Sequence, residues 1–474
     1  MDVIKTDICV IGAGSGGLSV ASGAAQLGVK TVLIERGKMG GDCLNTGCVP
    51  SKALLSAAKA FKAMGDGGKF GLSAGETSVD FARVHAHVHG VIDGIAPMDS
   101  VERFEGLGVR VLQAEAKFVG PGAVEAGGKR IEARRFVVAT GSRAGVPPIP
   151  GLDDTPYLTN ETIFDLKALP EHLVIIGGGP IGMEMAQAFA RLGSRVTLLE
   201  GMSVLARDDP ELAAVVIEQV RSDGVDIREG VSISSVETRD GGVRITLGGE
   251  AATHHIDGSH VLVAAGRKPN IEDLDLEAAG VSFDRAGIKV DARLRSSNKR
   301  IFAIGDVAGG LQFTHVAGYH AGIVIRNALF RMPAKADVSA VPHVTYTDPE
   351  LAHVGLTEAA ARKKFGEKVK VLRWSLEEND RARAERDTRG FIKVVVGAKG
   401  KILGASIVGA SAGDLIQPWV LALSQGLKIG AFTSLVAPYP TRGEISKRVA
   451  GEYYTPALFS ARTRWLVRVL SWFG

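Results

Sequence analysis

Cys43 and Cys48, separated by four residues, are the side chains of this sequence best placed to do chemistry. They lie in Gly40-Gly41-Asp42-Cys43-Leu44-Asn45-Thr46-Gly47-Cys48-Val49-Pro50-Ser51-Lys52. A pair this close interconverts between dithiol and disulfide when the backbone brings its Cα atoms within about 6 Å. The N-terminus has no basic region followed by an apolar stretch, so no secretory signal is read there. In such a chain a disulfide is more often catalytic than structural. The spacing alone leaves two ordinary buried cysteines as an equal reading. Exchange is performed by a thiolate, so one of the two needs a lowered pKa. A helix starting near Cys48 would favour that anion through its N-terminal amides. The remaining cysteine, Cys9, falls in an apolar run that reads as a strand.

The elements before the pair are those of a nucleotide site. An apolar strand from Asp7 ends in Gly12-x-Gly14-x-x-Gly17, an Ala-rich helix follows to about Leu27, and Thr31–Glu35 is a second strand ending in an acid. Glycines there let the backbone approach a pyrophosphate at a helix N-terminus, and Glu35 is placed to take a ribose diol. The device recurs at Gly177-Gly178-Gly179-Pro180-Ile181-Gly182, with a helix through Leu192 and a strand Arg195–Glu200. The offset, 177 − 12 = 165 residues, is a domain-sized internal repeat. Two dinucleotide sites in one chain imply two nucleotides, one able to pass electrons to the other.

Length and composition fit this reading. The 474 residues allow roughly three domains. A formal net charge of +4 is too small for a dedicated nucleic-acid binder. No uninterrupted apolar run is long enough to span a bilayer. The sequence reads as a soluble, cytoplasmic protein of a reducing compartment. Phe136–Gly141, with Ala139, Thr140 and Gly141 at its end, precedes Pro147, Pro148 and Pro150, a crossover into the second nucleotide unit. Val261–Gly266 and Arg267 precede the return crossover, and Arg300–Gly305 is a strand closed by Asp306. After about Pro342 the glycine loops cease, and strands at Phe391 and Ile402 flank a Gly-Ala-Lys-Gly turn.

With these motifs in family order from residue 4 to about 450, the chain resembles the flavoprotein disulfide reductases, the class I pyridine nucleotide-disulfide oxidoreductases. Val344–Glu350 is similar to the family's interface-domain opening, and the chain is most similar to the dihydrolipoamide dehydrogenase and mercuric reductase-like branch, through Phe313–Gly322 and Asp380-Arg381-Ala382. The resemblance implies an α/β fold: two Rossmann-like domains for FAD and NAD(P), plus a C-terminal α+β dimerisation domain. The expected parts are an FAD-binding domain over 1–150 and 276–341 and an NAD(P)-binding domain over 151–275. An interface domain over 342–455 and an amphipathic tail over 456–474 follow. By the resemblance, FAD is held by Gly12, Gly14, Gly17, Glu35, Ala139, Thr140, Gly141, Gly305 and Asp306. NAD(H) sits on Gly177, Gly179, Gly182 and Glu200, and Gly266 and Arg267 also serve the cofactors. Hydride passes from nicotinamide to flavin and on to a Cys43–Cys48 disulfide. Cys48 is then the flavin-side thiol and Cys43 the exchange thiol, with Lys52 paired to Glu184 beside the flavin.

The resemblance has departures. Where thiol–disulfide members carry a His-Pro with a Glu five residues after the His, this chain reads Tyr439-Pro440 and Glu444. A phenol of reference pKa about 10 is a poor base at neutral pH, though it donates hydrogen bonds and can help hold a metal ion. Tyrosine there is a mercuric-reductase-like trait, yet no cysteine follows Cys48. The expected substrate is therefore a small-molecule disulfide or another small electron acceptor. A metal-ion reductase and a flavin redox sensor without turnover are the alternatives. Glu200 favours NADH over a 2′-phosphate, while Arg195 and Arg207 leave NADP(H) open. A homodimer is implied, because the family site is completed by the partner's segment around Tyr439 and Glu444.

Weaker signals remain. His85, His87 and His89 read as a helix surface rather than a metal site, since only His85 and His89 share a face. No resident metal is expected. His315 and His320 read as packing or cofactor contacts, and His343 as structural. Taken as one helix, Pro456–Gly474 gathers Leu458, Trp465, Leu466, Val469, Trp472 and Phe473 on one side, with Arg464 and Arg468 opposite and Arg462 out of place. Such a face suits a membrane interface or the chain's own dimer.

Overall fold

The computed structural model describes residues 2–73, 75–248 and 254–473. Its first sheet is built outward from strand Asp2–Ile11, which pairs in parallel with Thr31–Glu35 on one side and Lys129–Val138 on the other. The strand begins earlier than the apolar run, because Asp2–Thr6 alternates exposed and buried positions and pairs with the start of Lys129–Val138. Ile8–Ile11 is buried throughout, as expected of a parallel strand covered on both faces. Strand Val109–Gln113 pairs in parallel with Thr31–Glu35 at the outer edge.

Lys129–Val138 divides its free edge between two partners. Its first half pairs antiparallel with Ala123–Ala126, and its last three residues pair in parallel with Ile301–Ala303. The sheet is thus closed by a strand that returns after the whole second nucleotide unit. That unit has an all-parallel sheet in the order Val225–Glu229, Arg195–Glu200, His172–Ile176, His260–Val263, backed by an antiparallel three-stranded sheet. The outgoing and returning crossovers pair with each other, Ser142–Ala144 against Arg267–Pro269.

The C-terminal unit is a five-stranded antiparallel sheet in the order Pro342–Thr345, Glu350–Gly355, Ile402–Gly409, Phe391–Val396, Lys370–Ser375. Phe391–Val396 and Ile402–Gly409 are buried at every position. Trp419 lies against Phe432 on this core, their ring centroids 3.8 Å apart. The segment after Tyr454 departs from a single helix. It forms Thr455–Leu458 and Ala461–Leu470, broken where Ser460 caps the second helix by accepting from the Thr463 N–H. Trp472 and Phe473 lie beyond its end.

Candidate active site

The two glycine loops are built alike. Each opens a helix, Ser15–Gln26 from Gly14 and Pro180–Leu192 from Gly179. A Cβ on Gly12 would lie 2.4 Å from the Ala139 carbonyl oxygen, and one on Gly177 2.4 Å from that of Ala264. A Cβ on Gly17 or Gly182 would collide with the carbonyl of Gly12 or Gly177. The middle glycines differ: beyond Gly179 there is open space, and beyond Gly14 only the Gly41 Cα at 3.9 Å. The outer glycines seat helix on strand, and the middle one leaves its backbone approachable. The acids also match. Glu35 accepts from the N–H of Ala13 at 2.6 Å and of Gly37 at 2.7 Å; Glu200 accepts from Gly178 at 2.7 Å and Met202 at 2.9 Å. Both cradles fit a dinucleotide on this geometry.

The cysteine segment rests on the first loop. The Gly40 N–H donates to the Ala13 carbonyl at 2.9 Å, and a Cβ on Gly41 would stand 2.7 Å from the Gly14 Cα. Gly40 has φ +87°, which turns the chain into the short helix Gly41–Asn45 carrying Cys43. A second helix starts at Cys48 and runs to Gly65. Pro50 in its first turn sacrifices no intrahelical bond, and the Ala- and Leu-rich run after it propagates the helix.

Both thiols are free, Cys43 half-buried and Cys48 exposed. The hydrogen bond from Cys43 lowers the Cys48 pKa to about 6; Thr314 and the Lys52 charge assist, against burial and Asp42. The same hydrogen bond, with burial and the charge of Cys48, drives Cys43 well above the ordinary thiol range. Both directions favour the anion on Cys48, which opens the helix. Thr314 Oγ1 lies 3.4 Å from Cys48 Sγ.

Lys52, one turn into this helix, reaches across to Glu184 on the helix of the second loop, Nζ to Oε2 at 2.8 Å. The Glu184 side chain is 5% exposed and its other oxygen accepts from the Tyr346 N–H at 2.9 Å. Lys52 Nζ also sits 4.4 Å from the centre of the Tyr346 ring. One ion pair thus joins the cysteine helix, the second nucleotide unit and the C-terminal unit.

A second chain of contacts runs from the cysteines to Asp306. Asp42 accepts from Arg267 Nη2 at 3.0 Å, from Asn160 at 2.7 Å and from Thr46 at 2.8 Å. Arg267 Nε donates to Ser142 Oγ at 2.7 Å, and Ser142 donates to Asp306 at 2.5 Å. Burial pushes the Asp306 carboxyl upward. Asn270 closes the segment after Gly141: its amide donates to the Thr140 carbonyl, and Thr140 Oγ1 donates back to the Asn270 carbonyl. Gly305 donates to Nδ1 of buried His320 at 3.3 Å.

Tyr439 stands apart, 70% exposed, its hydroxyl donating to Asp380 at 3.0 Å. That bond raises the phenol pKa further, away from any role as base at neutral pH. Glu444 pairs with Arg448 at 2.6 Å. His85 and His89 face each other at a tilt with centroids 4.2 Å apart, and His89 meets the Phe164 carbonyl. Among the described residues no three or more His, Cys, Asp or Glu side chains stand together so as to hold a metal ion. His315 meets the Pro342 carbonyl at 2.8 Å, and His343 meets Asp208 at 2.8 Å.

This geometry defines a two-nucleotide redox protein, and the comparisons agree. Residues 6–321 match the pyridine nucleotide-disulphide oxidoreductase model and residues 341–450 that family's dimerisation domain. The chain belongs to the FAD-dependent pyridine nucleotide-disulphide oxidoreductases. It is 37% identical to a mercuric reductase of Bacillus cereus over 444 residues, which is 92% of this chain and 70% of that protein. It is 36% identical to a dihydrolipoyl dehydrogenase of Geobacillus stearothermophilus, covering 94% of this chain and 96% of that one. Among solved structures, it is similar to the Cu(II) complex of the HOCl-induced flavoprotein disulfide reductase RclA from Escherichia coli. That match has a TM-score of 0.85 and 29% identity, over 94% of this chain and 99% of that one.

Sequence reasoning missed Asp42, Ser142, Asn160, Thr314 and Tyr346. Asp42 carried a signal, a carboxylate next to a redox-suited cysteine. Thr314 carried none, since it meets Cys48 across 266 residues of chain.

Proposed function

We propose that the protein uses NADH to keep Cys43 and Cys48 reduced and that Cys43 delivers the electrons to a small acceptor. The observation that carries this reading is the placement of the two cysteines: Cys43 on the short helix seated against the first glycine loop, and Cys48 at the start of the helix whose Lys52 pairs with Glu184. Bound FAD supplies two-electron transfer between pyridine nucleotide and sulfur. Gly12, Gly14, Gly17 and Glu35 would hold it, with Ala139, Thr140, Gly141, Gly305 and Asp306. Gly177, Gly179, Gly182 and Glu200 would hold NADH. Both Glu200 oxygens accept from loop N–H groups, which leaves a carboxylate where a 2′-phosphate would have to sit. Arg195 is directed away, onto His172 at 2.7 Å.

With a disulfide acceptor, the Cys43 proton is released and its thiolate attacks one acceptor sulfur, expelling the other as thiolate. Cys48 then attacks the Cys43 sulfur, freeing the second acceptor thiolate and forming the Cys43–Cys48 disulfide. Two electrons leave the pair, and the two acceptor thiolates become thiols by taking the Cys43 proton and one proton from water. Lys52 and Glu184 position the cysteine helix and place a positive charge toward Cys48. Tyr439 and Glu444 of a second copy would complete the site in a homodimer, with Tyr439 as hydrogen-bond donor.

The experiment is anaerobic addition of NADH to the purified holoenzyme. The wild type should bleach the flavin and develop a long-wavelength thiolate–flavin absorbance. Cys43→Ser/Cys48→Ser should bleach without that band, and the same band in the double variant would remove the sulfur pair from the reaction. A panel of lipoamide, glutathione disulfide, Hg(II), Cu(II), quinones and oxygen then identifies the acceptor. A metal-ion acceptor is the second reading, favoured by the Tyr439–Asp380 contact in place of a histidine base.

A further inference from the structure

The segment beyond Gly451 is built unlike the rest of the molecule. The dimerisation-domain match ends at residue 450, and no residue from Gly451 to Phe473 is buried. Among the largest exposed apolar side chains are Phe459, Trp465, Val467, Trp472 and Phe473, each more than 59% exposed. They stand with Leu458, Leu466 and Leu470 on one short stretch. Around the Ala461–Leu470 helix, Trp465, Leu466, Val469 and Leu470 share a broad face, while Arg464 and Arg468 lie opposite, four residues apart on one stripe. Arg462, in the first turn on the apolar side of the helix, adds a third positive charge. From Tyr453 to Phe473 there is no Asp or Glu, and among the described residues none of the three arginines forms an ion pair. An apolar face this large would be costly to leave in water. No helix among the described residues is long and apolar enough to cross a membrane.

We propose that Thr455–Phe473 is a peripheral anchor that lies flat on an anionic lipid surface. Trp465, Leu466, Leu470, Trp472 and Phe473 enter the headgroup–acyl boundary, and Arg462, Arg464 and Arg468 meet lipid phosphates. Tryptophans at the rim of an apolar face and arginines without acids are the composition such a surface recognises. A second copy of the chain as occupant is disfavoured by the same charges, since two tails brought together would oppose three arginines to three.

The test is flotation of the full-length holoenzyme with vesicles of phosphatidylcholine alone or with one-third phosphatidylglycerol. The protein should float with the anionic vesicles and release as salt rises. R462Q/R464Q/R468Q should weaken that partition about a hundredfold, at roughly fivefold per charge. W465S/L466S/W472S should abolish it, and both variants should keep wild-type NADH oxidation with a soluble acceptor. Absence of flotation with anionic vesicles overturns the proposal. So does a W465S/L466S/W472S protein that runs as a monomer where the wild type is a dimer, since the face then belongs to the subunit contact.

Discussion

The two nucleotide loops differ in what surrounds them, not in how they are made. Their outer glycines, helix starts and acid-to-amide bonds correspond position by position. The first loop is enclosed. Gly16 packs on Ile304 and Ala317, and the cysteine segment is hydrogen-bonded to Ala13. The second opens outward: Met202 is 75% exposed and Ile181, next to Pro180, is 39% exposed. The lesson is that one motif serves two purposes according to its lid. A covered loop retains a resident group, and an open one admits a visitor each turnover. On the proposed assignment the covered loop takes the FAD and the open one the nicotinamide nucleotide.

The largest effect should come from removing the acids in turn. Glu35→Ala leaves the buried Ala13 N–H and the exposed Gly37 N–H without their acceptor and should yield protein that loses FAD on gel filtration. Glu200→Ala should keep its FAD and raise the KM for NADH about tenfold, roughly the value of one charged hydrogen bond. Equal FAD loss in both would erase the distinction between resident and visitor. Lys52→Met comes next. It strands Glu184 in a nearly dry site, and because Lys52 itself is partly exposed the expected loss is about 2 kcal/mol in denaturant unfolding. An unchanged midpoint would mean that Glu184 does not depend on this cation.

The smallest effect is in pH. A lowered thiol pKa contributes stability that is complete above the unfolded value and is lost as pH falls through the folded value. For Cys48 the reduced protein should therefore gain stability from about pH 6 toward 9. At higher pH the raised pKa of Cys43 reverses the gain. The thiolate–flavin absorbance should titrate near 6, and Asp42→Asn should move the midpoint lower by removing an opposing charge. A midpoint at the ordinary thiol value would show that Cys43 does not donate to Cys48.

Much of this was legible in the sequence because it is local. The strand–loop–helix–strand–acid units, the helix start at Cys48 and the antiparallel strands at Phe391 and Ile402 are each set by neighbouring residues. The Lys52–Glu184 pair was reachable only through the resemblance, and the Asp42–Arg267–Ser142–Asp306 chain was not reached. Its members come from four separate segments, and no periodicity records which loops meet. The tail was legible as amphipathic but not as broken, because a serine inside a helical pattern signals a cap only once its donor is known.

The divided edge of Lys129–Val138 bears on how the chain is made. In chain order its first half has a partner available in the preceding hairpin, while the partner of its last three residues, Ile301–Ala303, comes only later. The second nucleotide unit emerges in that interval and has its own sheet to close. Chain order thus places a unit with its own sheet before the strand that completes the host sheet, and Asp306, which follows that strand, enters the chain last among the Asp42–Arg267–Ser142–Asp306 contacts.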